Sequence, residues 1–211
     1  MLNFVCANFK SLQTLNKDMC PTKTMFQEAS NFLDFVEELY AQDTAGISLV
    51  NFNAKEMLMH QGSAAQHVFI LKSGLCKIGL EEENGKEYIL AFLSTGEILG
   101  ELELIRDEPR LCSVQALNKV EAYKLTKACF LNLLNTDLKL NRLIINAYAE
   151  RITNTSKKAS FQKLYTTENG LQRILKLQET ENIEISKADL SAYLGISARS
   201  LNRLLKQRGD S

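Results

Sequence analysis

The sequence predicts an α+β protein: an N-terminal β jelly-roll barrel, then one long helix, then a C-terminal helix-turn-helix. Three observations carry this expectation. Short apolar runs punctuated by turn residues fill the stretch from Ile47 to Thr126. After Lys127 the apolar residues recur at helical spacing. Residues 186–207 hold two short amphipathic segments that meet at Gly195.

Taken in order, a first helix is expected from about Thr24. Thr24 and Gln27 have capping-box spacing, and Phe26, Ala29, Leu33, Val36 and Tyr40 follow on one face. The strand candidates are Ile47–Val50, Glu56–His60, His67–Leu71, Leu75–Leu80, Tyr88–Leu93, Glu97–Leu99, Cys112–Leu117 and Glu121–Leu125. Ser73-Gly74 and Asn84-Gly85 read as hairpin turns between neighbouring runs. Pro21 and Pro109 belong in loops.

A long helix is expected from about Asp137 to Ser160. Its stripe is Leu140, Leu143, Ile144, Ala147, Tyr148 and Ile152. Such a stripe fits two roles, docking on the barrel or forming a dimer seam. A shorter helix, Glu168–Gln178, turns Leu171, Ile174 and Leu175 inward.

The strongest local signal is SKADLSAYLGISARSLNRLLKQ at 186–207. Ser186 with Asp189 caps one helix, whose buried face is Leu190 and Leu194. Gly195 supplies the positive φ that ends it. Ser191 is small enough for close helix approach, and Ile196 fills the angle between the helices. Ser197 caps the second helix, and Leu201, Leu204 and Leu205 anchor it. The outward face then presents Ser197, Arg199, Ser200, Asn202, Arg203 and Lys206. Arg pairs bidentately with guanine edges and Asn with adenine, so this face suits double-stranded DNA.

Composition narrows the function classes. Lys+Arg and Asp+Glu are equal at 25 each. Residues 157–211 nevertheless hold ten basic and six acidic side chains, so the tail carries about +4 and the rest about −4. No apolar run reaches the ~18 residues that span a bilayer. The opening Met1–Lys10 lacks the pattern of a signal peptide. Cys6, Cys20, Cys76, Cys112 and Cys129 form neither a disulfide framework nor a metal knuckle, which fits a reducing cytoplasm. His60 and His67 have no metal-ligand spacing. Nucleophile elbow, Walker loop, HExxH and paired-carboxylate motifs are absent, so no enzyme is expected.

Over about residues 25–207 the chain resembles the bacterial Crp/Fnr superfamily of transcription regulators. The resemblance rests on the helix-turn-helix, on Gly62 before His67–Gly74, and on Gly96-Glu97-Ile98-Leu99-Gly100-Glu101-Leu102-Glu103-Leu104-Ile105. Glu108-Pro109-Arg110 and Ser113-Val114-Gln115-Ala116 complete it, and this wording is most similar to the YeiL-type branch. The resemblance implies a cyclic-nucleotide-binding-like sensor domain (1–130), a dimerisation helix (131–163) and a helix-turn-helix DNA-binding domain (164–211). It also implies a homodimer on operator DNA, with RNA polymerase as a further partner and a small-molecule effector. In this reading the dimer seam is Leu140, Leu143, Ile144, Ala147 and Ile152. The competing reading is a ligand sensor or partner-binding module without DNA binding, against which the basic face of Arg199 and Arg203 counts.

In nucleotide-binding relatives the segment at Gly100 is a phosphate-binding cassette. Gly100, Glu101, Leu102 and Arg110 match it, and are the implied effector site. Leu111 stands where a hydroxyl residue belongs, and the stretch from Glu101 to Arg110 is one residue short. These departures disfavour cyclic AMP, and leave Glu101 and Arg110 expected as an ion pair closing the barrel. Cys6 and Cys20 do not reproduce the grouped cysteines of an iron–sulfur centre. The family continues past the recognition helix into a β-hairpin wing; this sequence stops at Lys206–Ser211, so the wing is either cut off or lacking.

Overall fold

A computed structural model describes residues 22–82, 85, 87–162 and 167–209. Cys6, Cys20 and Pro21 lie outside them, as do the side chains of Thr24, Phe26, Gln27 and Ala29. Helix α1, Thr22–Ala41, buries Phe32, Phe35 and Val36.

The strands are β1 (Ile47–Phe52), β2 (Met57–Met59), β3 (His67–Ser73) and β4 (Cys76–Glu81), followed by β5 (Glu87–Leu93), β6 (Ile98–Leu99), β7 (Ser113–Ala116) and β8 (Val120–Thr126). Each matches one of the apolar runs. They form two antiparallel sheets, β1-β8-β3-β6 and β2-β7-β4-β5.

This pairing refines two expectations. The sheets do not close into a barrel among the described residues; they form a jelly-roll sandwich. Strands of two or three residues, such as β6 and β2, leave little unpaired edge. Ser73-Gly74 is a crossover between sheets rather than a hairpin turn, since β3 pairs with β8 and β4 with β7. Gly74 sits at φ +92 where a Cβ would run into the Lys119 carbonyl, and Leu75 N–H donates to Asn118 Oδ1 at 2.7 Å. The β4–β5 connection is a true hairpin with Gly85 at φ +73; Asn84 lies outside the described residues.

Between β6 and β7 the chain forms a short helix α2, Glu101–Arg106. After β8, Thr126 caps α3, Lys127–Thr136, by accepting from Cys129 N–H. Asp137 Oδ1 accepts from Lys139 and Leu140 N–H at 2.7 and 3.0 Å and so opens the long α4, Leu138–Gln162. Then follow α5 (Thr167–Glu181), α6 (Lys187–Leu194) and α7 (Ala198–Gly209).

Three apolar clusters hold the chain together. Phe35, Val68, Ile70, Leu125, Phe130, Leu140 and Ile144 join α1, α3 and α4 to the first sheet. Phe69, Leu71, Cys76, Val114, Ala116 and Ala122 fill the sandwich, and burial pushes the Cys76 thiol up to about 12. Leu171, Ile174, Ile185, Leu190 and Leu201 form the helix-turn-helix core, into which Leu75 projects from the β-sandwich. Gly170 lets α5 meet α6, because a Cβ there would lie 2.9 Å from Leu194 Cδ2.

Candidate nucleic-acid interface and sensor cassette

The helix-turn-helix forms as the sequence predicts, each part by its own local chemistry. Ser186 Oγ accepts from Asp189 N–H and starts α6. Gly195, at φ 64, ends it with its N–H on the Ser191 carbonyl. Ser197 Oγ accepts from Ser200 N–H at 3.2 Å and starts α7. Leu201 is fully buried, and Leu204 and Leu205 pack on the same core. Arg199, Asn202, Arg203 and Lys206 are exposed, and Ser200 is half-buried. With Gln207 they line one open concavity, which gathers every residue predicted for DNA contact except Ser197.

The structure also gathers Gly100, Glu101, Leu102 and Arg110 around the start of α2. Gly100 adopts φ 81, and a Cβ there would overlap the Arg110 guanidinium. Arg110 is 5% exposed. It donates to the Gly100 carbonyl at 2.9 Å and to the His67 carbonyl, and pairs with Glu103 at 3.6 Å. Burial lowers its pKa, with Glu103 and Glu101 opposing. Leu102 and Leu111 point outward, along a shallow groove shared with Arg106 and Pro109.

The expected Glu101–Arg110 ion pair does not form. Glu101, 2% exposed, is paired instead with Arg151 of α4, whose guanidinium also donates to the Ile98 carbonyl at 3.0 Å. A buried carboxylate takes whichever guanidinium reaches it with matching geometry, and α4 supplies that donor across the fold. Glu97 lies 4.0 Å from the same guanidinium. Burial raises the Glu97 pKa, and Glu101 and Glu150 add to this against the pull of Arg151. Burial opposes the charge of Arg151, but Glu101 outweighs it and its pKa is raised. Tyr148, one turn earlier, has a buried hydroxyl without a hydrogen-bond partner among the described residues, and burial pushes its pKa up to about 12.

The long-helix stripe divides between two environments. Leu140 and Ile144 are buried against α1, and Leu143, Ala147 and Tyr148 pack beside them in the same chain. Leu138, Ile145 and Ile152 face outward at 79%, 64% and 66% exposure.

Residues 49–137 match the family model of the cyclic nucleotide-binding domain. The cAMP-activated global transcriptional regulator CRP of Salmonella typhimurium is 25% identical over 170 residues, which cover 75% of this chain and 81% of the relative. Vfr of Pseudomonas aeruginosa, also a cAMP-activated global transcriptional regulator, is 24% identical over 169 residues, covering 74% and 79%. Among solved structures, the c-di-GMP responsive global regulator CLP of Xanthomonas campestris superposes with a TM-score of 0.68 at 19% identity, covering 82% of this chain and 92% of that one. At that identity the likeness shows the fold. CRP and Vfr are transcriptional regulators.

Four residues form charge contacts that the sequence reading did not anticipate. Arg151 carried a faint signal, a cation beside an apolar helical stripe. Glu103 was visible within the cassette segment, but its partner Arg110 was assigned to Glu101. Lys77 and Asp189 carried none, because their contact at 2.7 Å joins elements far apart in sequence. Among the described residues no helix is long and apolar enough to cross a membrane.

Proposed function

We propose that this chain is a dimeric, DNA-binding transcription regulator, not an enzyme, in which α7 reads a major groove. One observation carries the reading: α7 is capped by Ser197 and anchored by Leu201, while Arg199, Asn202, Arg203 and Lys206 stand exposed on its other side. Arg199 and Arg203 are one turn apart and fit neighbouring base pairs. Transcription-regulating relatives over three-quarters of the chain support the same class. RNA polymerase is the partner through which such a regulator acts, and the cytoplasm its place. The segment Gly100–Ile105 with Glu108-Pro109-Arg110 supports the YeiL-type branch.

The dimer forms along α4. Leu138, Ile145 and Ile152 recur every seven residues and are exposed, so the seam is carried by them. Of the stripe first read from the sequence, Ile152 belongs to this outer face. Cyclic AMP is not the effector: Leu111 replaces a hydroxyl, and Arg110 is engaged within the chain.

The test is an anisotropy titration of the full chain on duplexes selected from a random pool. Arg203→Ala weakens binding by about 1–3 kcal/mol and relaxes preference at one base step per half-site. Lys206→Ala weakens all sequences alike and lowers the salt slope by about one. Unchanged affinity and preference in both variants refutes the assignment of α7.

A further inference from the structure

We infer that Glu103 is an internal anion that occupies the anion position of the cassette and keeps phosphodiester ligands out. The inference rests on reading Gly100–Arg110 as a cassette of phosphate-binding ancestry, and names the residue that decides its specificity.

The geometry is that of a small anion site already filled. One Glu103 oxygen, Oε1, accepts the Leu111 backbone N–H at 3.1 Å. The other, Oε2, lies 3.6 Å from Arg110 Nη1. A guanidinium and an adjacent backbone N–H form the donor set that a phosphate oxygen pair also requires. The Glu103 side chain is 13% exposed, and that of Arg110 is 4% exposed, so the carboxylate covers the cation from solvent. Arg110 Nη1 also donates to the Gly100 carbonyl, and Nη2 to the His67 carbonyl. Gly100 has no side chain, which keeps the guanidinium in place.

Glu101 does not provide this anion, because Arg151 holds it on the α4 side. Two neighbouring carboxylates of α2 thus divide two guanidinium groups, one from the following loop and one from α4. An anion tethered to the same short segment competes at an effective concentration of order millimolar or above. An external monoanionic phosphodiester must displace it and leave a partly buried carboxylate unpaired.

The experiment is calorimetry with cyclic AMP on the full-length chain and on Glu103→Ala and Glu103→Gln. The expected result is no binding by the wild type up to about 1 mM, and binding by Glu103→Ala at least about tenfold tighter than that limit. Glu103→Gln keeps an acceptor for Leu111 N–H without the charge, and also gains binding. The gain disappears in Glu103→Ala/Arg110→Lys, and cyclic AMP raises the melting temperature of Glu103→Ala but not of the wild type. Wild-type binding as tight as that of Glu103→Ala overturns the inference while showing that the cassette takes phosphate. Folded Glu103→Ala and Glu103→Gln proteins that bind no cyclic AMP overturn it together with the cassette reading. Neither result touches the assignment of α7, which is read on DNA.

Discussion

Lys77 on β4 places its ammonium 2.7 Å from the Asp189 carboxylate on α6, joining the β-sandwich to the helix-turn-helix. Both side chains are largely buried, at 11% and 16% exposure, and Glu87 of β5 lies 3.2 Å from the same ammonium. The contact sits beside Leu75 in the helix-turn-helix core and the Phe92–Tyr193 ring pair at 5.4 Å. Burial opposes the charge on Lys77, but its partners Asp189 and Glu87 outweigh this and raise its pKa. A raised lysine contributes stability below its unfolded value near 10.5 and loses it as pH rises through the folded value, so the link persists at neutral pH.

Breaking this link loosens the docking of the two parts. Lys77→Ala leaves Asp189 facing Glu87 without a cation and costs about 1–3 kcal/mol. Melting of Lys77→Ala, Asp189→Ala and the double variant gives the coupling, expected to exceed about 0.5 kcal/mol. Additive single effects mean that the pair contributes nothing of its own.

Glu97 makes the protein less stable at neutral pH than a neutral side chain does. Its pKa is raised above 4.5, chiefly by burial. The folded state therefore binds its proton more tightly than the unfolded state, and this contribution, present below the unfolded value, is lost as pH rises through the folded one. Glu97→Gln melts higher than wild type at pH 7, and the difference shrinks as pH falls through the folded value toward the unfolded one near 4.5. Equal melting at both pH values contradicts this.

The Tyr148 hydroxyl, buried without a hydrogen-bond partner among the described residues, is a second small cost inside the α4 packing. Tyr148→Phe removes it without changing the ring and stabilises by about 1 kcal/mol, which raises the melting temperature by about 2–4 °C. A lower melting temperature in a thermal scan means that the hydroxyl has a partner in solution.

The outward row of α4 sets the oligomeric state. Ile145→Lys with Ile152→Glu gives a monomer by light scattering, since an apolar seam does not bury unpaired charge. Its melting temperature loses the concentration dependence that a dimer imparts, while the packing of the single chain is spared because both positions are exposed in it. A dimer that survives the pair of substitutions places the seam elsewhere.

Much of the fold was legible because its signals are local. All eight strands follow from short apolar runs, and the helix-turn-helix follows from Ser186, Gly195 and Ser197, each acting within a turn of its own position. The exposed side of α7 followed too, since Leu201 on one side dictates that Arg199, Asn202 and Arg203 lie on others. Ser73-Gly74 was misread as a hairpin because a glycine at positive φ reverses the chain equally well within a sheet or between two.

The sequence by itself determined where strands, helices and turns begin, because capping, positive φ and apolar period depend on neighbours along the chain. Only the tertiary structure decided which partner each buried charge takes. Glu101 and Arg110 stand nine residues apart, yet Glu101 pairs with Arg151 from α4 and Arg110 with Glu103. The apolar stripe of α4 was likewise divided only when α1 covered Leu140 and Ile144 and left Ile145 and Ile152 outside. The reason is physical: a buried charge is satisfied by distance and direction in space, and an apolar face is claimed by whichever surface the fold presses against it.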